Sequence, residues 1–536
     1  MSAHEDPVAT GLAAGWKVVD ASASGVDIVA EADVVIVGSG AGGGVTAEIL
    51  VDAGLRVIIV EEGPLKSSRD FHMREAEAYT QLYQESASRK TRDKAINILQ
   101  GRCVGGGTTV NWTSSFRTPP GTLQFWQQRR ALQGLAAADL QPWFERMERR
   151  LHIAATGLAP NANNEALRRG AAQLHIASAG IARNVRGCAD LGYCGMGCPV
   201  DAKQSMLLTT LASALAGGAQ LYTRLRAERL LWRDGQVEAL SCVALDADGV
   251  HPRQVRATLR ARHFVLAAGG IGTPALLLRS AAPDPHGHLG KRTFLHPTLI
   301  CSALMATPVE GYAGAPQSLY SDHFLHTQAI DGPLGFKIEV PPLHPLLFAT
   351  TLQGYGQAHA EIMREFAHAQ TLIALLRDGF HEHSQGGTVG LRADGTPLLD
   401  YPLGEVLWEG ARRAFLAMAE IQFAAGARRV FAVHEDCRGW GSWSEAKAGI
   451  AALELRPLRT RVVSAHVMGG CGIGATAADG VVDSHGAHFQ LHNVAVVDAS
   501  VFPTSIGANP QLSIFALAAK NASHLATQLG VRPKDA

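Results

Sequence analysis

Two short segments near the C-terminal end carry residue types suited to moving a proton. Ser464-Ala-His-Val-Met-Gly-Gly-Cys471 presents one imidazole, His466, and the segment from Asp498 to Gln511 presents one neutral amide, Asn509. Each lies in a turn punctuated by glycine or proline. Such a pair suits chemistry in which a hydroxyl proton leaves while the carbon beneath it gives up a hydride: the amide holds the oxygen and the imidazole takes the proton. Neither side chain can accept the hydride, so an electron acceptor must be held elsewhere along the chain. Read without context, a histidine in Ala-His-Val-Met-Gly is more often a satisfied loop residue, and Asn-Pro is an ordinary turn signal.

The other end of the chain offers that acceptor a place. Asp33-Val-Val-Ile-Val-Gly-Ser-Gly-Ala-Gly-Gly-Gly-Val-Thr-Ala-Glu-Ile-Leu50 reads as a β-branched strand, a glycine cluster and a helix. Gly38, Gly40 and Gly43, with Ser39 and Ala41 between them, fit the G-x-G-x-x-G fingerprint, which combines a tight turn, close approach to a pyrophosphate and close helix–strand packing. The pyrophosphate would sit on the helix N-terminus, where free N–H groups and the dipole favour anions. A second strand, Leu55-Arg-Val-Ile-Ile-Val60, ends in Glu61, at the spacing of an acid that binds ribose hydroxyls. Its neighbour Glu62 reads as solvated. Gly101-Arg-Cys-Val-Gly-Gly-Gly-Thr-Thr-Val-Asn-Trp112 is a second glycine loop; through Gly105, Gly106 and Asn111 it could approach the far end of a long cofactor. The fingerprint does not separate NAD from FAD, and the second loop alone reads equally well as a surface loop.

At 536 residues the chain exceeds one simple core and favours two domains. With 47% hydrophobic and 18% charged residues it has a soluble globular composition, and 48 basic against 48 acidic residues give no electrostatic case for nucleic acid or an anionic membrane. Met1-Ser-Ala-His-Glu-Asp-Pro7 lacks the basic and apolar regions of a signal peptide. The apolar stretch from Phe264 to Ala282 is broken by glycines, a proline and an arginine, and reads as strand, turn and helix rather than a transmembrane segment. Eight cysteines without an export signal argue against a disulfide framework, so a cytoplasmic protein is expected.

In their order along the chain, these segments resemble the glucose–methanol–choline (GMC) family of FAD-dependent oxidoreductases, over nearly the whole length. Gly105-Gly-Gly-Thr-Thr-Val-Asn111 is similar to the family's flavin-proximal loop, Ala267-Ala-Gly-Gly-Ile-Gly-Thr-Pro-Ala-Leu-Leu-Leu278 to its second signature, and Leu289-Gly-Lys-Arg-Thr-Phe-Leu-His-Pro297 to the turn that follows. Val496-Val-Asp-Ala-Ser-Val-Phe-Pro-Thr504 is similar to its C-terminal flavin segment. Val-Gly-Gly-Gly-Thr-Thr-Val-Asn-Trp and Cys-Gly-Met-Gly-Cys-Pro look most like the long-chain fatty alcohol oxidase branch and its bacterial dehydrogenase relatives. The resemblance implies an α/β (α+β) fold. A Rossmann-like FAD-binding domain at about residues 31–115, 186–298 and 462–536 would be interleaved with a substrate domain of antiparallel sheet and helices at 116–185 and 299–461. Residues 1–30 would form an N-terminal arm.

The resemblance also implies roles. His466 matches the family's histidine above the flavin and Asn509 its second position. Asp498 and Ala499 match residues near the pyrophosphate and ribityl chain, and Pro510 and Gln511 the segment beneath the pyrimidine end. FAD binding is expected to be non-covalent. Neutral His466 would take the hydroxyl proton as hydride passes to flavin N5, leaving an aldehyde or ketone. His296, in the family turn, is assigned no proton-transfer role, and His485, His488 and His492 are expected to be solvated.

Gly187-Cys-Ala-Asp-Leu-Gly-Tyr-Cys-Gly-Met-Gly-Cys-Pro199 sets Cys188, Cys194 and Cys198 in a C-x5-C-x3-C pattern. Three thiolates in a glycine-rich loop can wrap a cluster, and the pattern departs from the paired spacing of tetrahedral zinc. It resembles that of [3Fe-4S]-bearing glucose dehydrogenases of the same family; a loop of buried free thiols is the open alternative. A cluster would favour a quinone or cytochrome as electron acceptor, and its absence would leave O2 or a soluble acceptor open.

The substrate is expected to be a small-molecule alcohol. Val340–Phe348 and the stretch Ile362–Leu376, with apolar residues at helical spacing, suit a fatty or terpene alcohol, although apolar helices are usually core. That stretch lacks the Lys/Arg face of a membrane-surface helix, and peripheral membrane association stays open. Gly387–Leu399 reads as a hairpin around Asp394-Gly395, and Val406–Ala425 as a helix stopped by Gly426. Competing readings are a hydroxynitrile lyase of the same fold, a sugar or polyol dehydrogenase with an iron–sulfur relay, and a non-catalytic nucleotide-binding module.

Overall fold

The β-branched run before the first glycine cluster is buried at every position from Val34 to Val37, as a strand covered on both faces must be. In a computed structural model, which describes residues 5–533, this run ends the strand Ile28–Val37. The strand lies parallel to Val57–Val60 and to the long strand Pro252–Leu266. They belong to an 8-stranded sheet in the order Lys17–Asp20, Gln220–Thr223, Val57–Val60, Ile28–Val37, Pro252–Leu266, Gln236–Leu245, Leu225–Arg233, with Val494–Val496 also on Pro252–Leu266. The expected N-terminal arm thus contributes an edge strand, Lys17–Asp20 paired with Gln220–Thr223. Helices Ala41–Asp52 and Gln511–Gln528 pack on one another beside this sheet.

A second 8-stranded sheet runs in the order Ile96–Ile98, Val462–Ser464, Thr298–Met305, Ala369–Leu376, Phe336–Glu339, Leu319–Ser321, Ala179–Gly180, with Ala427–Ala432 also on Thr298–Met305. Its pairings are antiparallel except Ile96–Ile98 with Val462–Ser464. Period-2 alternation gives the sheet two different faces. Leu299, Cys301, Ala303, Leu372, Ala374 and Leu376 join one apolar core with Ala411, Phe415 and Met418 of the helix Glu405–Ala424. Thr298, Ile300, Ser302, Thr371, Ile373 and Leu375 face the opposite way and line a cavity.

The stretch Ile362–Leu376 is not one helix. Helix Gly356–Arg364 ends within its first three residues, and Ala369–Leu376 is a central strand buried at all eight positions. A strand covered on both faces shows no alternation, which is why its apolar run mimics helical spacing. The hairpin Gly387–Leu391/Pro397–Asp400 and the helix Glu405–Ala424 stand where the turn and stop signals put them. Among the described residues, no helix is long and apolar enough to cross a membrane.

The first strand hands over to its helix through Gly38, whose φ of 99° is open only to glycine at low cost. A Cβ there would also lie 2.3 Å from the Ala267 carbonyl oxygen. Gly38→Ala is therefore expected to cost about 2 kcal/mol or more, read as a lower midpoint in urea unfolding.

Candidate active site

A cavity of about 1850 Å³ opens between the carboxyl ends of the first sheet and the polar-striped face of the second. It exceeds the roughly 300–1,000 Å³ of common small-ligand pockets. Gly38, Gly40, Glu61, Asp498, His466 and Asn509 all line it, so the fingerprint and the proton-handling pair share one space.

At one end, Gly40 opens the helix Ala41–Asp52 with no side chain capping it. The first N–H groups of that helix are left for an anion. Glu61 ends the strand Val57–Val60 and is buried; its carboxylate accepts from Ser39 N at 3.1 Å, Ser39 Oγ at 2.5 Å and Gly63 N at 2.8 Å. Burial pushes the Glu61 carboxyl up from its ordinary range, and the bonds from Ser39 and Gly63 pull the other way. Ser39 Oγ also accepts from Gly105 N at 3.0 Å, joining the two glycine loops. Gly106 backs onto Gly40 so closely that a Cβ would lie 2.8 Å from the Gly40 Cα. Ala41 lines the cavity wall, while Gly43 stands behind it in the first turn, against the Gly38 carbonyl.

Asp498 acts through backbone. Its Oδ2 accepts from Gly269 N at 2.8 Å and Thr273 Oγ1 at 2.5 Å, and its Oδ1 from Ser500 N at 2.8 Å. It thereby pins the start of the helix Gly269–Arg279 to the segment carrying Ala499, which also lines the cavity. Pro510 and Gln511 open the helix Gln511–Gln528, again without a side-chain cap. Gln511 accepts from Asn111 Nδ2 at 2.7 Å and donates to Ser114 O, Ser115 Oγ and Asn184 Oδ1. One amide donor of Asn111 is thus already used within the protein. Two uncapped helix N-termini on one cavity suit a cofactor with a pyrophosphate at one of them and, at the other, a ring that takes on negative charge when reduced.

The second sheet and a 4-stranded sheet, in the order Pro397–Asp400, Gly387–Leu391, Lys291–Phe294, Met468–Gly469, place the histidines. Thr298 pairs with Val463, and Phe294 with Met468. The register carried across the gap between these pairs sets His296 opposite His466, and their Nδ1 atoms lie 3.1 Å apart. One must bear the proton and the other a lone pair. His296 sits at φ 49°, in a turn whose Leu295 and His296 N–H groups donate to the buried Asp378 carboxylate, itself held by Tyr401. Burial pushes His466 down to about 4 and His296 well below its ordinary value, so both imidazoles are neutral at pH 7. The resemblance gave His296 no part in proton handling; its contact with His466 comes from sheet register, which no local pattern encodes.

Behind Asn509 stands a pair absent from the sequence reading. Lys337 and Glu339 lie on Phe336–Glu339, opposite Leu375 and Ile373 and so on the cavity-facing side of the sheet. They are 3.0 Å apart and almost wholly shut off from solvent. Lys337 Nζ donates to Asn509 Oδ1 at 3.2 Å, and Asn509 Nδ2 donates to Glu339 Oε2 at 3.1 Å. Two charged residues two apart within Phe-Lys-Ile-Glu-Val were the available signal.

In the cysteine loop, Cys188, Cys194 and Cys198 are free thiols. Cys194 Sγ faces Arg183 Nη2 at 3.5 Å, and its carbonyl accepts from Lys203 Nζ at 2.6 Å. Lys203 also donates to Thr109 O and Asn111 O, tying this loop to the second glycine loop. Of the loop histidines, His492 is exposed, but His488 is buried and accepts from Gln490 N and Leu491 N, and His485 stacks on His524 at 3.8 Å. Removing the buried Asp498 carboxylate by Asp498→Ala would strand its three donors. It is expected to cost about 2–4 kcal/mol, measured as a shift in the denaturation midpoint.

The family model described as GMC oxidoreductase matches residues 79–298 with its N-terminal part and 383–518 with its C-terminal part. The long-chain-alcohol oxidase FAO1 of Arabidopsis thaliana is 27% identical over 529 residues, covering 94% of this chain and 68% of that protein. A GMC-type oxidoreductase, Rv0492c, of Mycobacterium tuberculosis is 32% identical over 512 residues, covering 94% and 77%. Among solved structures, formate oxidase of Aspergillus oryzae RIB40 superposes with a TM-score of 0.70 at 15% identity, covering 94% of this chain and 99% of that one. Pyridoxine 4-oxidase from Mesorbium loti does so with a TM-score of 0.65 at 20% identity, covering 92% and 98%. These structural likenesses show a shared fold. With both family segments in place, the chain belongs to the GMC oxidoreductase family and is an oxidoreductase acting on CH–OH groups.

Proposed function

We propose that the chain binds FAD non-covalently in the cavity of about 1850 Å³ and oxidises an apolar, long-chain alcohol there, with His466 as the base. The observation that carries this reading is the shared cavity: the dinucleotide fingerprint, Glu61, His466 and Asn509 all border it. Gly38, Ser39, Gly40, Ala41 and Glu61 would hold the adenosine and pyrophosphate portion. Gly105, Gly106, Asn111, Asp498, Ala499, Pro510 and Gln511 would shape the remainder of the seat. Bound there, FAD supplies a two-electron acceptor that the side chains lack.

The chain's own residues handle the proton. Asn509 Nδ2 has two N–H groups, one of which is given to Glu339; the other is available to the substrate oxygen. His466 serves as base in the tautomer that donates Nδ1–H to His296, which leaves the Nε2 lone pair for the hydroxyl proton. Burial keeps that imidazole neutral at rest. Ile300, Ile373 and Leu375 with Trp112 and Val463 form an apolar patch beside this pair, and Leu346, Leu347 and Phe348 line the same cavity, a wall suited to an alkyl chain. O2, a quinone and a cytochrome are separated as acceptors by reoxidation rates.

Anaerobic mixing with a panel of alcohols should bleach the flavin absorbance; a flavin that stays oxidised with every alcohol would sink the reading and favour a lyase. His466→Ala is expected to retain flavin but to lose about 10²–10⁴-fold in the rate of reduction. The pH profile supplies a signed check. Because burial lowers His466 from 6.5 to about 4, the kcat/KM limb governed by this base should stay flat through pH 6 and fall with a midpoint near 4. Linkage has the same sign: unfolding takes up a proton in that window, so His466's contribution to stability declines as pH falls from 6.5 towards 4.

A further inference from the structure

A side-chain amide has two ends of nearly the same shape and opposite hydrogen-bonding character, exchanged by a half-turn about its last bond. As a group that steadies a developing alkoxide, Asn509 is useful only with its nitrogen towards the substrate. Its surroundings leave one choice. Lys337 Nζ, which has no lone pair when charged, contacts Oδ1 at 3.2 Å, and Glu339 Oε2, acceptor only, takes an Nδ2 hydrogen at 3.1 Å. The reversed amide would set N–H against ammonium and oxygen against carboxylate.

Other groups meet the pair as well. Gln317 Nε2 donates to Glu339 Oε2 at 2.6 Å, and Gln317 Oε1 accepts from Ser114 Oγ at 2.6 Å. Lys337 Nζ lies 2.9 Å from the centre of the Phe116 ring and 4.5 Å from that of Tyr320, so the charge is met by ring faces as well as by oxygen. Apolar residues could fill this volume without the desolvation cost of two buried charges. Filling space is therefore not what the pair supplies.

We propose that Lys337 and Glu339 are positioning residues that lock the Asn509 amide as a donor towards the cavity. The remaining Nδ2 hydrogen is then aimed before substrate arrives, and no reorientation is needed as negative charge develops on the substrate oxygen. The inference rests on the role given to Asn509 in the proposed function.

The test uses the FAD-loaded full chain and 1-dodecanol as probe, with flavin reduction followed anaerobically by stopped flow. Asn509→Ala is expected to lower the limiting rate by about 10²-fold. Lys337→Met should lower it about tenfold or more, with the half-saturating alcohol concentration unchanged within about threefold. The neutral pair Lys337→Met with Glu339→Leu should regain thermal stability, since no charge is left unpartnered, yet stay slow. In an Asn509→Ala background, adding Lys337→Met should change the rate by less than about twofold, because the lysine acts through the amide. Full multiplicative losses in that cycle, or a neutral pair as fast as the wild type, would overturn the inference. If Lys337→Met does not fold, Glu339→Gln carries the same comparison. A normal rate in Asn509→Ala overturns the role of Asn509 itself, and so separates failure of the reading from failure of the clamp.

Discussion

The ion pair between Lys337 and Glu339 is the contact on which the polar side of the cavity depends. Removing two charges from water costs several kcal/mol each, and their attraction offsets this only when other groups complete their hydrogen bonding. Asn509, Gln317 and the Phe116 ring supply such partners here, while Glu339 Oε1 has the ion pair alone. The same burial that makes the pair costly makes it directional, because in a dry environment a donor facing a donor has no water to intervene. Asn509 is therefore less a free side chain than the visible end of a network anchored in the second sheet.

A parallel constraint governs the histidines. Both are neutral because burial disfavours the imidazolium; at His466 the Glu339 carboxylate pulls the other way and Lys337 adds to the lowering, without changing the outcome. They meet because the second sheet and a small four-stranded sheet share one register on either side of a gap. The Asp378 carboxylate holds the turn at His296 by two backbone N–H groups. The contact between the two imidazoles thus rests on strand pairing and on a buried acid that does not itself line the cavity.

Much of the local architecture was legible in the sequence. The strand, glycine turn and helix from residue 28 to 52, the hairpin around Asp394-Gly395 and the helix Glu405–Ala424 follow from short-range patterns of burial and turn chemistry. The strand Ala369–Leu376 was not, since a run covered on both faces carries no period to read. The cysteine spacing could equally well describe a ligand loop or a set of separate thiols. Arg183 and Lys203, distant from most of what they bind, tie that loop to the second glycine loop.

By itself, the sequence determined the G-x-G-x-x-G turn, the acid after the second strand, and the imidazole and amide of the two C-terminal turns. Each is a matter of neighbours a few positions apart, where backbone geometry is dictated by the local chain. Only the tertiary structure decided that His466 faces His296 across 170 positions and that Lys337 orients Asn509 across 172. Hydrogen bonds and desolvation act through distances in space, and those distances are set by how the strands pair rather than by any pattern within one of them.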